Sequence, residues 1–191
     1  MDTPETVNLL GNALCLDFAN SVDWSAAGEP IKDNVLNTPD ELRRWGLRLG
    51  LGDSTPDKAE LVRAVELRAA IHPTFAAIAA GDDPDREDLA TIRKHHARAA
   101  AAGHLTRTDD DAWQLDWRDD EPARVRYAVA IDAVTLLANP DRLDRVRHCP
   151  GHDCGWLFLD LSGRRRWCSM ETCGSRAKMR RLYERRRAAA A

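Results

Sequence analysis

No stretch of the 191 residues approaches the run of about 18 apolar residues that a membrane-spanning helix needs. The opening Met1-Asp2-Thr3-Pro4-Glu5 is acidic where a secretion signal is basic, so a cytoplasmic protein with no membrane partner is expected. The chain also lacks a Gly-rich phosphate loop, a Ser nucleophile elbow and a His-Glu-x-x-His helix, and nothing in residues 1–140 resembles a catalytic apparatus. No enzymatic role is expected. With 43% hydrophobic and 31% charged residues, collagenous, low-complexity and disordered readings fail as well. Cysteine is scarce. Of five, only Cys15 lies in the first three quarters of the chain, and the other four crowd into the rest.

The formal charge of −3 conceals a division. Residues 1–140 carry 15 Lys/Arg against 25 Asp/Glu, a net of −10, whereas residues 141–191 carry 13 against 6, a net of +7. From Arg164 onward the count is 10 against 2. An acidic body thus bears a basic module suited to an anionic partner.

The body reads as mainly helical. Leu10, Leu14 and Phe18 recur at steps of four in a run from Leu9 to Phe18, a buried helix that also holds Cys15 as a packed thiol. Thr38-Pro39-Asp40-Glu41 is a capping box ahead of Leu42, Trp45 and Leu49. Thr55-Pro56-Asp57 opens a long helix that Pro73 should end or kink near His72, and Asp83-Pro84-Asp85 opens another that Gly103 closes. Trp113, Leu115 and Trp117 alternate with Gln114 and Asp116, the pattern of a hairpin over 104–117. Pro122 starts a last helix with Val125, Val129, Asp132 and Leu136 on one stripe, and Asn139-Pro140 stops it. Adjacent His95 and His96 point about 100° apart on a helix and do not jointly face a metal.

The chemistry lies in the tail. Cys149, Cys154, Cys168 and Cys173 are spaced Cys-x4-Cys-x13-Cys-x4-Cys, two close pairs joined by an arm, as in a structural zinc site. In a reducing compartment, clustered thiols read as metal ligands rather than disulfides. Pro150, Gly155 and Gly174 flank the cysteines, with glycine taken to supply positive φ; His148 and His152 are alternative ligands. Trp156 to Asp160 reads as a strand, Ser162-Gly163 as a turn, and Arg164 to Trp167 as the return strand. A helix over 175–187 follows, with Met179, Leu182 and Tyr183 as a narrow apolar stripe among arginines. Knuckle, hairpin, knuckle, helix is the order of a small treble-clef-like finger.

The segment Cys149-x4-Cys154, Trp156-Leu157-Phe158-Leu159-Asp160-x-Ser162, Arg164-Arg165-Arg166-Trp167-Cys168-Ser169-Met170-x-x-Cys173-Gly174-x-Arg176 resembles the CGNR zinc finger. Gly11-Asn12-Ala13-Leu14-Cys15-Leu16-Asp17-Phe18-Ala19-Asn20-Ser21 and Thr38-Pro39-Asp40-Glu41-Leu42-x-x-Trp45 resemble the ABATE domain that precedes this finger in bacterial proteins assigned to stress-induced transcription regulation. The signature Cys-Gly-Asn-Arg here reads Cys173-Gly174-Ser175-Arg176, so Ser replaces Asn. The resemblance implies a multihelical ABATE-like body over 1–140 and a CGNR-type finger over 141–191, with the four cysteines holding one zinc per chain.

A nucleic-acid-binding regulator is the expected function. Arg164, Arg165, Arg166, Arg176, Lys178, Arg180 and Arg181 are the expected contacts to DNA, since guanidinium matches phosphate and reads guanine. The acidic body would dimerise, sense a small-molecule effector or position the finger. A ligand cleft lined by Asp17, Asn20 and Trp24 is a further expectation, opposed by the simpler role of satisfying buried backbone. The alternative is a protein-interaction or structural finger whose arginines pair with the acidic body.

Overall fold

A computed structural model describes residues 3–189 except Asn34, so the outermost residues of the two expected domains, 1–2 and 190–191, lie outside the described residues. The order is α1 (Leu14–Ala19), β1 (Val22–Trp24), β2 (Pro30–Asp33), α2 (Pro39–Arg48), α3 (Lys58–Ala80), α4 (Arg86–Ala102), β3 (His104–Arg107), β4 (Trp113–Asp116), α5 (Arg124–Leu137), α6 (Pro140–Leu143), β5 (Val146–His148), β6 (Leu157–Leu159), a π-turn (Met170–Gly174) and α7 (Ser175–Ala189). The strands form three separate antiparallel pairs, β1–β2, β3–β4 and β5–β6. Among the described residues no helix is long and apolar enough to cross a membrane.

Local signals set most helix starts. Thr38 accepts from the Glu41 N–H while Glu41 reaches back to the Thr38 N–H, so both halves of the expected capping box are made. Asp57 caps α3, and Asp85 rather than Asp83 caps α4. Gly103 ends α4 in extended backbone, not in the left-handed conformation.

Packing overrides sequence signals in two places. α3 continues through Pro73 to Ala80, so of the expected end or kink near His72 the helix does not end there. A mid-helix proline costs about 3 kcal/mol. Here Ile71, His72, Thr74 and Phe75 around it are all buried in the core, and that burial outweighs the lost hydrogen bond. α1 is shorter than the expected 9–18 run, because the chain before it turns away: Asn12 sits at φ 57 and the Gly11 N–H donates to the Asp17 carboxylate at 2.7 Å.

The main core joins Phe18, Trp45, Leu67, Ile71, Phe75, Ile92, Val129 and Leu136, and Cys15 is buried among them. Asp132, the acidic interruption on α5, caps the start of α1 by accepting from the Cys15 N–H at 2.8 Å. His95 is fully buried rather than on a solvated face. Arg126 donates to its Nδ1 and also to Glu60, and burial, followed by the Arg126 charge, pushes its pKa down to about 4. The β3–β4 hairpin forms as expected, but Leu105 and Trp113 stay exposed, Leu115 is half-buried and Trp117 packs inward.

The core does not stop at residue 140. Val146, Leu157 and Leu159 of the tail belong to the same cluster as the body helices. A body folding independently of the tail, as the charge division suggests, would leave these positions empty.

Candidate metal centre

β5 and β6 pair through Val146↔Leu159, Arg147↔Phe158 and His148↔Leu157, and the loop between them carries Cys149 and Cys154. This differs from the expected hairpin of 156–160 with 164–167. Alternation identifies a strand but not its partner, and 164–167 is instead held in an irregular loop. There the buried Asp160 carboxylate accepts from the backbone and hydroxyl of Ser162. Burial opposes its ionisation, but N–H donors from Arg165, Ser162 and Arg164 hold its pKa below the usual carboxylate range.

The second pair of ligands follows. Cys168 ends the loop, Ser169 caps the π-turn by accepting from the N–H groups of Glu171 and Thr172, and Cys173 sits within that turn. Ser175, which replaces the signature Asn, donates its hydroxyl to the carbonyls of Glu171 and Thr172 and so ties the turn to α7.

The four sulfurs lie within 4.8 Å of one another, with Cys168 Sγ 3.5 Å from Cys173 Sγ and 3.8 Å from Cys154 Sγ, and none is in a disulfide. Sulfurs at about 2.3 Å from one tetrahedral zinc are about 3.8 Å apart, so the cluster fits that ion. Its electrostatics suit a bound cation. Hydrogen bonds from the Cys154 and Cys168 thiols pull Cys149 down to about 2, whereas its proximity pushes Cys154 up to about 12 and Cys168 higher still. Four thiolates cannot share this space alone. A bound zinc would supply the compensating charge, and the Cys168 N–H donates to Cys149 Sγ at 3.3 Å to support the ligand. The four cysteines hold one zinc ion per chain. His148 and His152 are not part of the cluster.

The glycines serve by being small, not by positive φ. Neither Gly155 nor Gly174 has one; in the first knuckle it is Asp153 that does, at φ 54. A Cβ on Gly151 would lie 2.8 Å from Cys173 Sγ, and one on Gly155 would lie 2.3 Å from the Ser25 carbonyl.

Gly155 is where the finger meets the body. Its N–H donates to the Trp24 carbonyl at 2.9 Å, and its carbonyl accepts from His72 Nε2 at 2.8 Å. The His72 ring stacks on Trp24 with centroids 3.8 Å apart and planes 9° apart. Burial is the main reason that His72 is pushed down to about 4, so the ring stays neutral. Asn20 grips β6 like a neighbouring strand, with Nδ2 donating to the Leu157 carbonyl at 2.8 Å and Oδ1 accepting from the Leu157 N–H at 3.0 Å. Asn12 donates to the Leu159 carbonyl at 3.0 Å.

Of the residues expected to line a ligand cleft, Trp24 borders a cleft of about 360 Å³ with Leu10 and Ile31. Asn20 and Trp24 spend their polar atoms on the chain, Trp24 Nε1 donating to the Ala19 carbonyl. Asp17 is half-buried beneath Gly11; burial raises its pKa to about 6, against the Gly11 N–H and the Arg165 and Arg48 charges. Sequence reasoning missed Asn12 and His72, whose roles depend on a partner more than 80 positions away and leave no local pattern.

Of the arginines, Arg165 turns inward. Its guanidinium lies 4.4 Å from the Phe158 ring centroid and donates to the Trp167 and Cys168 carbonyls, and burial lowers its pKa. Arg164, Arg166, Arg176, Lys178, Arg180 and Arg181 are exposed, with the Arg166 guanidinium over the Trp167 ring at 5.2 Å. Among the described residues, no Lys or Arg beyond position 126 forms an ion pair with a carboxylate. Tail and body are joined by apolar packing and by hydrogen bonds from Asn12, Asn20 and His72 to the tail backbone, with no ion pair between them among the described residues.

No curated protein matches the chain. A family model described as "Putative stress-induced transcription regulator", ABATE, matches residues 12–140, and the CGNR zinc finger matches residues 145–186. The chain therefore belongs to the ABATE family and carries a CGNR zinc finger in the same order that its motifs indicate.

Proposed function

We propose that the protein binds duplex DNA through the zinc-ordered tail and acts as a transcription regulator, with binding rather than catalysis as its role. The observation that carries this is that Arg164, Arg166, Arg176, Lys178, Arg180 and Arg181 are all exposed and without an ion-pair partner among the described residues. Had these cations been the body's counter-charge, ion pairs would cross between tail and body. None does among the described residues. A site closed by four thiolates also leaves no open coordination position for a reacting water.

In this reading the body holds the finger rigid through Asn20, Trp24 and His72. An effector or a homodimer contact on the body would act by shifting that grip. Salt dependence of duplex binding tests the proposal. About five phosphate contacts give a slope of roughly −4.5 in log affinity against log salt, and Arg176→Ala with Arg180→Ala and Arg181→Ala should make it shallower by about three units. A folded, zinc-loaded protein that binds no duplex at low salt would instead favour the interaction-module reading.

A further inference from the structure

The basic surface of the tail extends beyond the expected contact set, to Arg145 and Arg147. A groove of about 620 Å³ opens on the side of the finger formed by β5 and the arginine loop, with Arg145, Arg147, Arg164, Arg165 and Arg166 on its walls. The strand pattern makes it: Val146 points into the core, so its neighbours Arg145 and Arg147 are exposed together. Asp160 is the one carboxylate lining the groove, and its Oδ1 is taken by Ser162.

The two β5 arginines are held in place. Arg145 donates from one amino group to the Leu161 carbonyl at 3.1 Å, and Arg147 from one to the carbonyls of Asp144 and Val146 at 2.7 and 2.9 Å. Neither is paired with a carboxylate among the described residues, so the rest of each guanidinium fork is aimed and free of counter-charge. Pro150 forms an edge of this groove and also of a second cleft, of about 360 Å³, lined by Arg176, Arg180, Arg181 and one carboxylate, Glu184, of α7. The two basic clefts meet at the first zinc knuckle.

We infer that Arg145 and Arg147 bind the phosphate backbone of the duplex, which crosses the Pro150 edge from the β5 groove to α7. The inference rests on the DNA-binding reading and extends its footprint. Two clefts with basic linings that share Pro150 suit an extended polyanion better than a lone small anion, and cations without an ion-pair partner are relieved by one.

The test is a variant carrying Arg145→Gln and Arg147→Gln, in which each side chain keeps a donor for the carbonyl it holds. Zinc content and thermal unfolding should match those of the unaltered protein. Duplex affinity should fall, and the salt slope should become shallower by about two units. If the unaltered protein binds duplex and the variant binds with the same affinity and slope, the β5 footprint is overturned while the wider reading stands. If the unaltered protein binds no duplex, the wider reading fails first. Displacement of duplex by equimolar inorganic phosphate would also overturn the inference, marking the groove as a site for a free anion.

Discussion

Asn20 shows how a single side chain can join two segments. Its carboxamide supplies one donor and one acceptor to Leu157, the same pair that a neighbouring strand would offer, and it is 1% exposed. Asn20→Ala leaves the buried N–H and carbonyl of Leu157 without those partners. Each unsatisfied group costs about 1–3 kcal/mol, so a loss of roughly 2–6 kcal/mol in urea unfolding is expected. A loss under about 0.5 kcal/mol would show that water replaces the carboxamide and that the grip is weak. Arg165 makes the complementary point. It stands in a run of three arginines that look interchangeable, yet it packs on Phe158 while its neighbours face solvent.

At the scale of elements, α7 is the exception to the packing. It is 15 residues long, and no residue on it is buried; Met179, Leu182 and Tyr183 are 53%, 40% and 65% exposed. A helix of that length is marginal in water by itself, so its stability comes from the π-turn that carries Cys173. Chelating zinc should therefore unwind α7 and remove about 15 residues of helical circular dichroism, and amide exchange along α7 should be fast even with zinc bound. An α7 that keeps its helicity without zinc would show that the helix needs no anchor.

Elements also show what the sequence made legible. Capping boxes and apolar periods placed the helices, and the cysteine spacing placed the metal ligands, because both are short-range patterns. Strands β1 and β2 are only three and four residues long, and the single apolar–polar–apolar period of Val22-Asp23-Trp24 is too short to mark a strand in sequence. The partner of β6 was misread because 164–167 is nearer in sequence than 146–148, and only the buried Val146, facing the core beside Leu159, settles the pairing. Pro73 misled because a local penalty of about 3 kcal/mol is visible in sequence and the tertiary burial opposing it is not.

At the scale of the whole molecule, the charge division and the packing give different boundaries. Charge separates residues 1–140 from 141–191, and the two family matches respect nearly the same line. The core ignores it. Val146, Leu157 and Leu159 fill space among the body helices, and Gly155 is wedged against β1 with no room for a Cβ. Folding of the body and order at the metal site are therefore linked, since zinc that binds only the folded chain stabilises everything cooperative with it.

Scanning calorimetry of the full chain with and without a zinc chelator tests this union of finger and body most directly. The account predicts one cooperative transition for the zinc-loaded protein and a shift of the whole transition, body helices included, to lower temperature when zinc is removed. Two separate transitions, with the body's unchanged by chelation, would contradict it.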